Sequence, residues 1–171
     1  MAAVLAVSGC EMADDLAPDG SDRRPDVEQG VIGPYVGHIA PDFTLQDTLY
    51  TGVTLSAELA NADAVVLYFT MWCPICDSHM SHMRSTVIPQ YPEVTFWFVD
   101  YVSGSVEVAR AAQVSSGYAD VTVLVDTDQN VLDDYVATMG TTVVVDRNGV
   151  VQMNEDYKDG TRLQSVLEAL P

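Results

Sequence analysis

Thr70-Met71-Trp72-Cys73-Pro74-Ile75-Cys76 is the stretch on which the fold turns. A run of strand formers, Ala64-Val65-Val66-Leu67-Tyr68-Phe69, leads into it, and a helical pattern without Gly or Pro leads out, from Asp77 to about Ile88. Two closely spaced cysteines where a buried strand turns into a helix have the geometry of a dithiol/disulfide redox centre. At the helix N-terminus, unpaired N–H groups and the helix dipole favour a thiolate on Cys73. Pro74 suits the first turn, where its missing N–H would have been unpaired anyway. Cys76 lies one turn further in, within reach of the first sulfur. A purely stabilising disulfide is the weaker reading, because so short a loop at a helix start makes a tight, redox-labile staple.

Outward from this stretch the chain alternates. Phe43–Leu45 reads as a short strand, Asp47–Gly52 as a hairpin turn and Val53–Leu55 as the return, with a capped helical turn over Ser56–Leu59. Downstream, Pro89 and Pro92 close the long helix and Val94–Val99 is a buried strand. A helix over Ser105–Gln113, a strand over Val121–Val125 and a helix over Gln129–Ala137 follow. Thr142–Val145 and Val150–Met153 flank a hairpin turn at Arg147-Asn148-Gly149, and Thr161–Leu170 is an amphipathic helix with Leu163, Val166, Leu167 and Leu170 on one face. Strands alternating with helices imply parallel pairing, and the closing hairpin adds antiparallel strands. The fold class is therefore α/β, a mixed central sheet flanked by helices, with an N-terminal β-hairpin extension.

At 171 residues the chain fits one domain. With 25 acidic residues against 7 basic ones the net charge is −18, which excludes nucleic-acid binding through a basic surface. The acidity suits either a surface adapted to high salt or, the favoured reading, a soluble extracytoplasmic protein.

Trp-Cys-Pro-x-Cys after an apolar strand resembles the thioredoxin-like TlpA/ResA group of thiol–disulfide oxidoreductases, relatives of the AhpC/TSA peroxiredoxins. Ala40-Pro41-Asp42-Phe43-Thr44-Leu45 resembles the lead-in segment that both share. The resemblance covers about Gly37 to the C-terminus and implies a thioredoxin-like fold. It also implies that Cys73 acts as nucleophile and Cys76 as resolving thiol of a redox-active disulfide. Trp72, Pro74, Gly140 and Thr141 would line the substrate groove. The implied partners are protein disulfides and an upstream thiol donor, with no cofactor and no metal.

The sequence departs from the family pattern in two places. The family places a cis-proline opposite the cysteines; here that position falls at Gly140, so the loop is expected to be trans or rearranged. The buried acid expected in the strand before the motif corresponds to Leu67, which leaves Asp77, His79 and water as candidate bases. His79 itself reads as a solvent-facing helix residue. Two alternatives remain. Thr70-x-x-Cys73 matches part of a peroxiredoxin-like thiol peroxidase motif, although Val66 stands where its proline is expected. A Cu(I)-handling site at Cys73 and Cys76 suits soft thiolates. His79, His82, Met80 and Met83 do not complete a metal cage, because Cys73 and His82 face nearly opposite ways on a helix and Met at helical spacing is usually core.

Residues 1–9 are small and apolar and end in Val7-Ser8-Gly9-Cys10, which resembles a bacterial lipobox with Cys10 as the lipidation site. The segment is too short to span a bilayer and lacks a positive n-region, so it is expected to be a truncated lipoprotein signal. Residues 10–30 read as a flexible acidic tether and 31–171 as the thioredoxin-like domain. The expected location is the periplasmic face, with the only membrane attachment a lipid anchor on Cys10; Glu11 points to the outer membrane.

Overall fold

The structure, a computed structural model, describes residues 30–171. Cys10 and the rest of the segment up to residue 29, read as signal and tether, lie outside the described residues. Seven strands form one sheet: β1 (Thr44–Asp47), β2 (Gly52–Thr54), β3 (Ala64–Thr70), β4 (Val94–Asp100), β5 (Thr122–Val125), β6 (Thr141–Asp146) and β7 (Val151–Asp156). Their order is β2-β1-β5-β4-β3-β6-β7. β3, β4 and β5 run parallel, while β6 and β7 add on antiparallel at one edge and the β1–β2 hairpin at the other. This is the mixed sheet with an N-terminal hairpin that the sequence predicts.

All seven residues of β3 are buried. The strand is paired on both sides, so its alternate side chains serve two cores. Val65, Leu67 and Phe69 join Leu55 and Leu59 of α1 (Leu55–Leu59) and Val131 of α4 (Asn130–Asp134). Ala64, Val66 and Tyr68 face Met80 of α2 (Pro74–His82) and Leu163, Val166 and Leu167 of α5 (Thr161–Glu168). α3 (Val106–Ser115) is capped by Ser105, whose hydroxyl accepts the Val108 N–H.

Two elements differ from expectation for tertiary reasons. The first turn of α1 is capped not by its own residues but by Asp42, whose carboxylate accepts both the N–H and the hydroxyl of Ser56. The lead-in segment thus fixes the helix that follows the hairpin. The helix expected over Gln129–Ala137 shrinks to Asn130–Asp134, because Gln129 and Val136 adopt positive φ at its two ends. α2 also continues beyond His82, through a wider π-type turn over Met83–Val87 and a 3-10 turn over Ile88–Gln90.

Candidate active site

β3 ends at Thr70, paired in register with Asp100 at the end of β4. Between β3 and α2 the chain makes a sharp turn in which Trp72 takes φ +57°, a conformation costly for a bulky residue. Two hydrogen bonds hold it there. The Trp72 N–H donates to Thr70 Oγ1 at 3.2 Å, and the indole N–H donates to Asp100 Oδ2 at 2.6 Å. Asp100 is fully buried, and its other oxygen accepts the N–H groups of Val102 and Ser103. Trp72 is thus half-buried and tied inward, packed near Tyr118.

The turn delivers Cys73 as the N-cap residue of α2, where its Sγ accepts the N–H of Cys76 at 3.1 Å. Cys73 is half-buried and Cys76 wholly buried, which is the asymmetry that an attacking and a resolving thiol require. Burial raises the Cys76 thiol, but a hydrogen bond shared with Cys73, backbone bonds at Met71 and Cys73 and the Thr70 hydroxyl outweigh it, and the net direction is down.

Gly140 is buried at φ +87° in a trans loop; its N–H donates to Phe69 O at 2.9 Å and its carbonyl accepts the Tyr157 N–H at 2.8 Å. Thr141 is buried as well, with its hydroxyl accepting the Thr138 N–H. Pro74 is exposed, and Met71, Ile75 and Val136 are exposed large apolar residues on the segments that flank the cysteines and Gly140. Leu67 is buried among apolar neighbours on the face of β3 away from α2.

Sequence reasoning missed Tyr68. Its ring lies in the core beneath α2, yet its hydroxyl meets His79 Nδ1 at 3.0 Å. Burial pushes this hydroxyl far above the ordinary phenol range, followed by the charge of the neighbouring Cys76 and Cys73 sulfurs and a hydrogen bond to Cys76. A Tyr within a fully apolar strand run was the available signal, since a buried Tyr hydroxyl finds a polar partner. His79 is not solvent-facing as expected but half-buried, its ring 4.8 Å from that of Tyr157. Burial, and then the charge of His82, lowers its pKa below the usual histidine value. Asp77, the other candidate base, accepts a hydrogen bond from the Tyr118 hydroxyl at 2.7 Å. Met80 and Met83 are core, and among the described residues no three or more His, Cys, Asp or Glu converge as a metal site.

The AhpC/TSA family matches residues 36–154, a span that contains β1 to β6, the two cysteines and Gly140. The chain belongs to the AhpC/TSA family. It is thereby placed among thiol-based oxidoreductases of thioredoxin-like fold. No protein of curated function matches the chain. Among solved structures, a candidate thiol:disulfide interchange protein DsbE from Chlorobium tepidum is 22% identical with a TM-score of 0.67, covering 84% of this chain and 97% of its own. A candidate protein disulfide isomerase from Bacteroides thetaiotaomicron is 23% identical with a TM-score of 0.67, covering 79% and 87%. Peroxidoxin BcpB from Mycobacterium tuberculosis is 20% identical with a TM-score of 0.65, covering 80% and 97%. At these identities the likeness carries the thioredoxin-like fold to this AhpC/TSA member.

Proposed function

We propose that this protein is an extracytoplasmic thiol–disulfide oxidoreductase that reduces protein disulfides through Cys73 and Cys76. The observation that supports this reading is the pairing of a half-buried helix-capping Cys73 with a wholly buried Cys76 directly behind it. The Cys73 thiolate attacks one sulfur of a substrate disulfide, and the other leaves as a thiolate. Cys76 then attacks Cys73 in the mixed disulfide. The second substrate thiolate leaves, and a Cys73–Cys76 disulfide remains. Two electrons pass to the substrate, and an upstream thiol donor restores the dithiol. Exposed Met71, Ile75 and Pro74 would offer the substrate an apolar face beside Cys73, with the loop of Gly140 and Thr141 opposite. The lipid anchor on Cys10 and a periplasmic location belong to the same reading and rest on the lipobox-like sequence.

A peroxidase of the same fold is the second reading, favoured by the peroxidoxin likeness. Thr70 argues against it, because its hydroxyl is wholly buried and accepts the Trp72 N–H.

The test is insulin-disulfide reduction beside peroxide turnover. Wild type is expected to reduce insulin, Cys73→Ser to be inert, and Cys76→Ser to accumulate a mixed disulfide with substrate that can be isolated. Peroxide turnover without insulin reduction would replace this reading by the peroxidase.

A further inference from the structure

When Cys73 is held in a mixed disulfide, its hydrogen bond to Cys76 is lost. That bond is the largest influence lowering the Cys76 thiol, and the burial that raises it stays. Cys76 must nevertheless become a thiolate to attack, and in this chain the acid expected in the preceding strand is the apolar Leu67. We propose that the Tyr68 hydroxyl and the His79 imidazole form the path by which Cys76 gives up its proton as it resolves the mixed disulfide.

The path rests on contacts between β3 and α2. Cys76 is wholly buried on the same face of α2 as Met80, which packs against Tyr68 of β3, and the Tyr68 hydroxyl lies near enough to feel the Cys76 charge. The same hydroxyl reaches His79 Nδ1 at 3.0 Å, and His79 stands half-buried, open toward the surface. With His79 neutral, the Cys76 S–H donates to the Tyr68 oxygen and the Tyr68 O–H donates to Nδ1. In the step itself the S–H bond breaks and a new O–H bond forms on Tyr68, whose former proton moves to Nδ1. The Cys76 thiolate then faces a neutral Tyr68 hydroxyl, and an imidazolium has formed at His79. The departing substrate thiolate takes up a proton from that imidazolium or from water. The groups facing His79 are Tyr68 on β3, His82 on α2, Tyr157 after β7 and the backbone of Gly140. His82 is itself bound through Nδ1 to the Tyr157 hydroxyl at 2.6 Å, and Asp159 lies close enough to feel its charge. Burial keeps Tyr157 high, at about 12, so it stays protonated and does not compete for the proton.

This inference rests on the dithiol chemistry proposed above, and the experiment separates the two. Reduced protein is mixed with excess Ellman's reagent and thionitrobenzoate release is followed by stopped flow. Attack by Cys73 releases the first thionitrobenzoate, and resolution by Cys76 releases the second. In Tyr68→Phe and in His79→Gln the second phase is expected to slow relative to the first by about a hundredfold, the scale of a lost proton-transfer partner. In wild type the second phase should fall as pH drops through the depressed His79 pKa, because the imidazolium cannot accept. His79→Gln should lose that limb, and added imidazole should restore part of the rate in His79→Ala. Thermal unfolding of each variant separates this effect from misfolding. If wild type shows no second release, the dithiol function itself fails. If wild type shows both phases, and folded variants keep the ratio and the pH profile, the Tyr68–His79 path is wrong while the dithiol function survives.

Discussion

Gly140 shows how one residue departs from the family pattern and is then used. Its N–H donates to Phe69 O, so the loop is stitched to the strand that leads to the cysteines. At φ +87° the backbone suits glycine, whereas proline is fixed near about −65° and has no N–H to donate. Restoring the family residue is therefore expected to harm the protein. Gly140→Pro should destabilise by well over about 1 kcal/mol, losing both conformation and hydrogen bond. Gly140→Ala has open space, its Cβ meeting only His79 Nδ1 at 3.9 Å, so it should cost about 1 kcal/mol from φ alone. Denaturant unfolding of the two variants checks the order; a Pro variant as stable as the Ala variant would mean that the loop readily rearranges. The glycine was readable as a departure from the sequence, but its bond to Phe69 was not, because nothing local in Met139-Gly140-Thr141 points to β3.

β3 and α2 together make the element that carries the two cysteines. β3 is buried on both faces, so it supplies a rigid support for the turn at Trp72 and for the helix above it. Its even and odd positions divide cleanly between two cores, with Leu67 on one and Tyr68 on the other. Leu67→Ala empties a site with no exposure at all and should destabilise by about 3 kcal/mol, measured by urea unfolding. Its side chain points away from α2, so the ratio of the two thionitrobenzoate phases should stay near that of wild type as long as the protein is folded. The strand, the cysteines and the helix start were legible because period, propensity and Pro74 are local signals. The cap of α1 was not, because Asp42 reaches Ser56 across the hairpin. The early end of α4 was not either, because positive φ at Gln129 and Val136 carries no mark in residues that are neither Gly nor Asn.

Charge sets the behaviour of the whole molecule. A net −18 over 171 residues leaves carboxylates facing one another across the surface, with few cations to offset them. The ion pairs Arg84–Asp120, Arg147–Asp63 and Arg162–Glu155 are all solvent-exposed, and such pairs contribute little. Self-repulsion should thus dominate the salt response. Raising ionic strength from about 0.01 M to about 1 M shortens the screening length from about 30 Å to about 3 Å, and Tm is expected to rise. A calorimetric Tm that is flat or falls over that range would show that the exposed pairs outweigh the repulsion. By itself the sequence determined the order of elements, the hairpin-extended mixed sheet and the placing of Cys73 and Cys76 at a strand-to-helix turn, since each follows from residues adjacent in the chain. Only the tertiary structure decided which groups surround those thiols. Tyr68 meets His79, Asp100 holds the Trp72 indole, and Gly140 binds Phe69, because pairing β3 with β4 and β6 and laying α2 across them brings together residues that no local pattern connects.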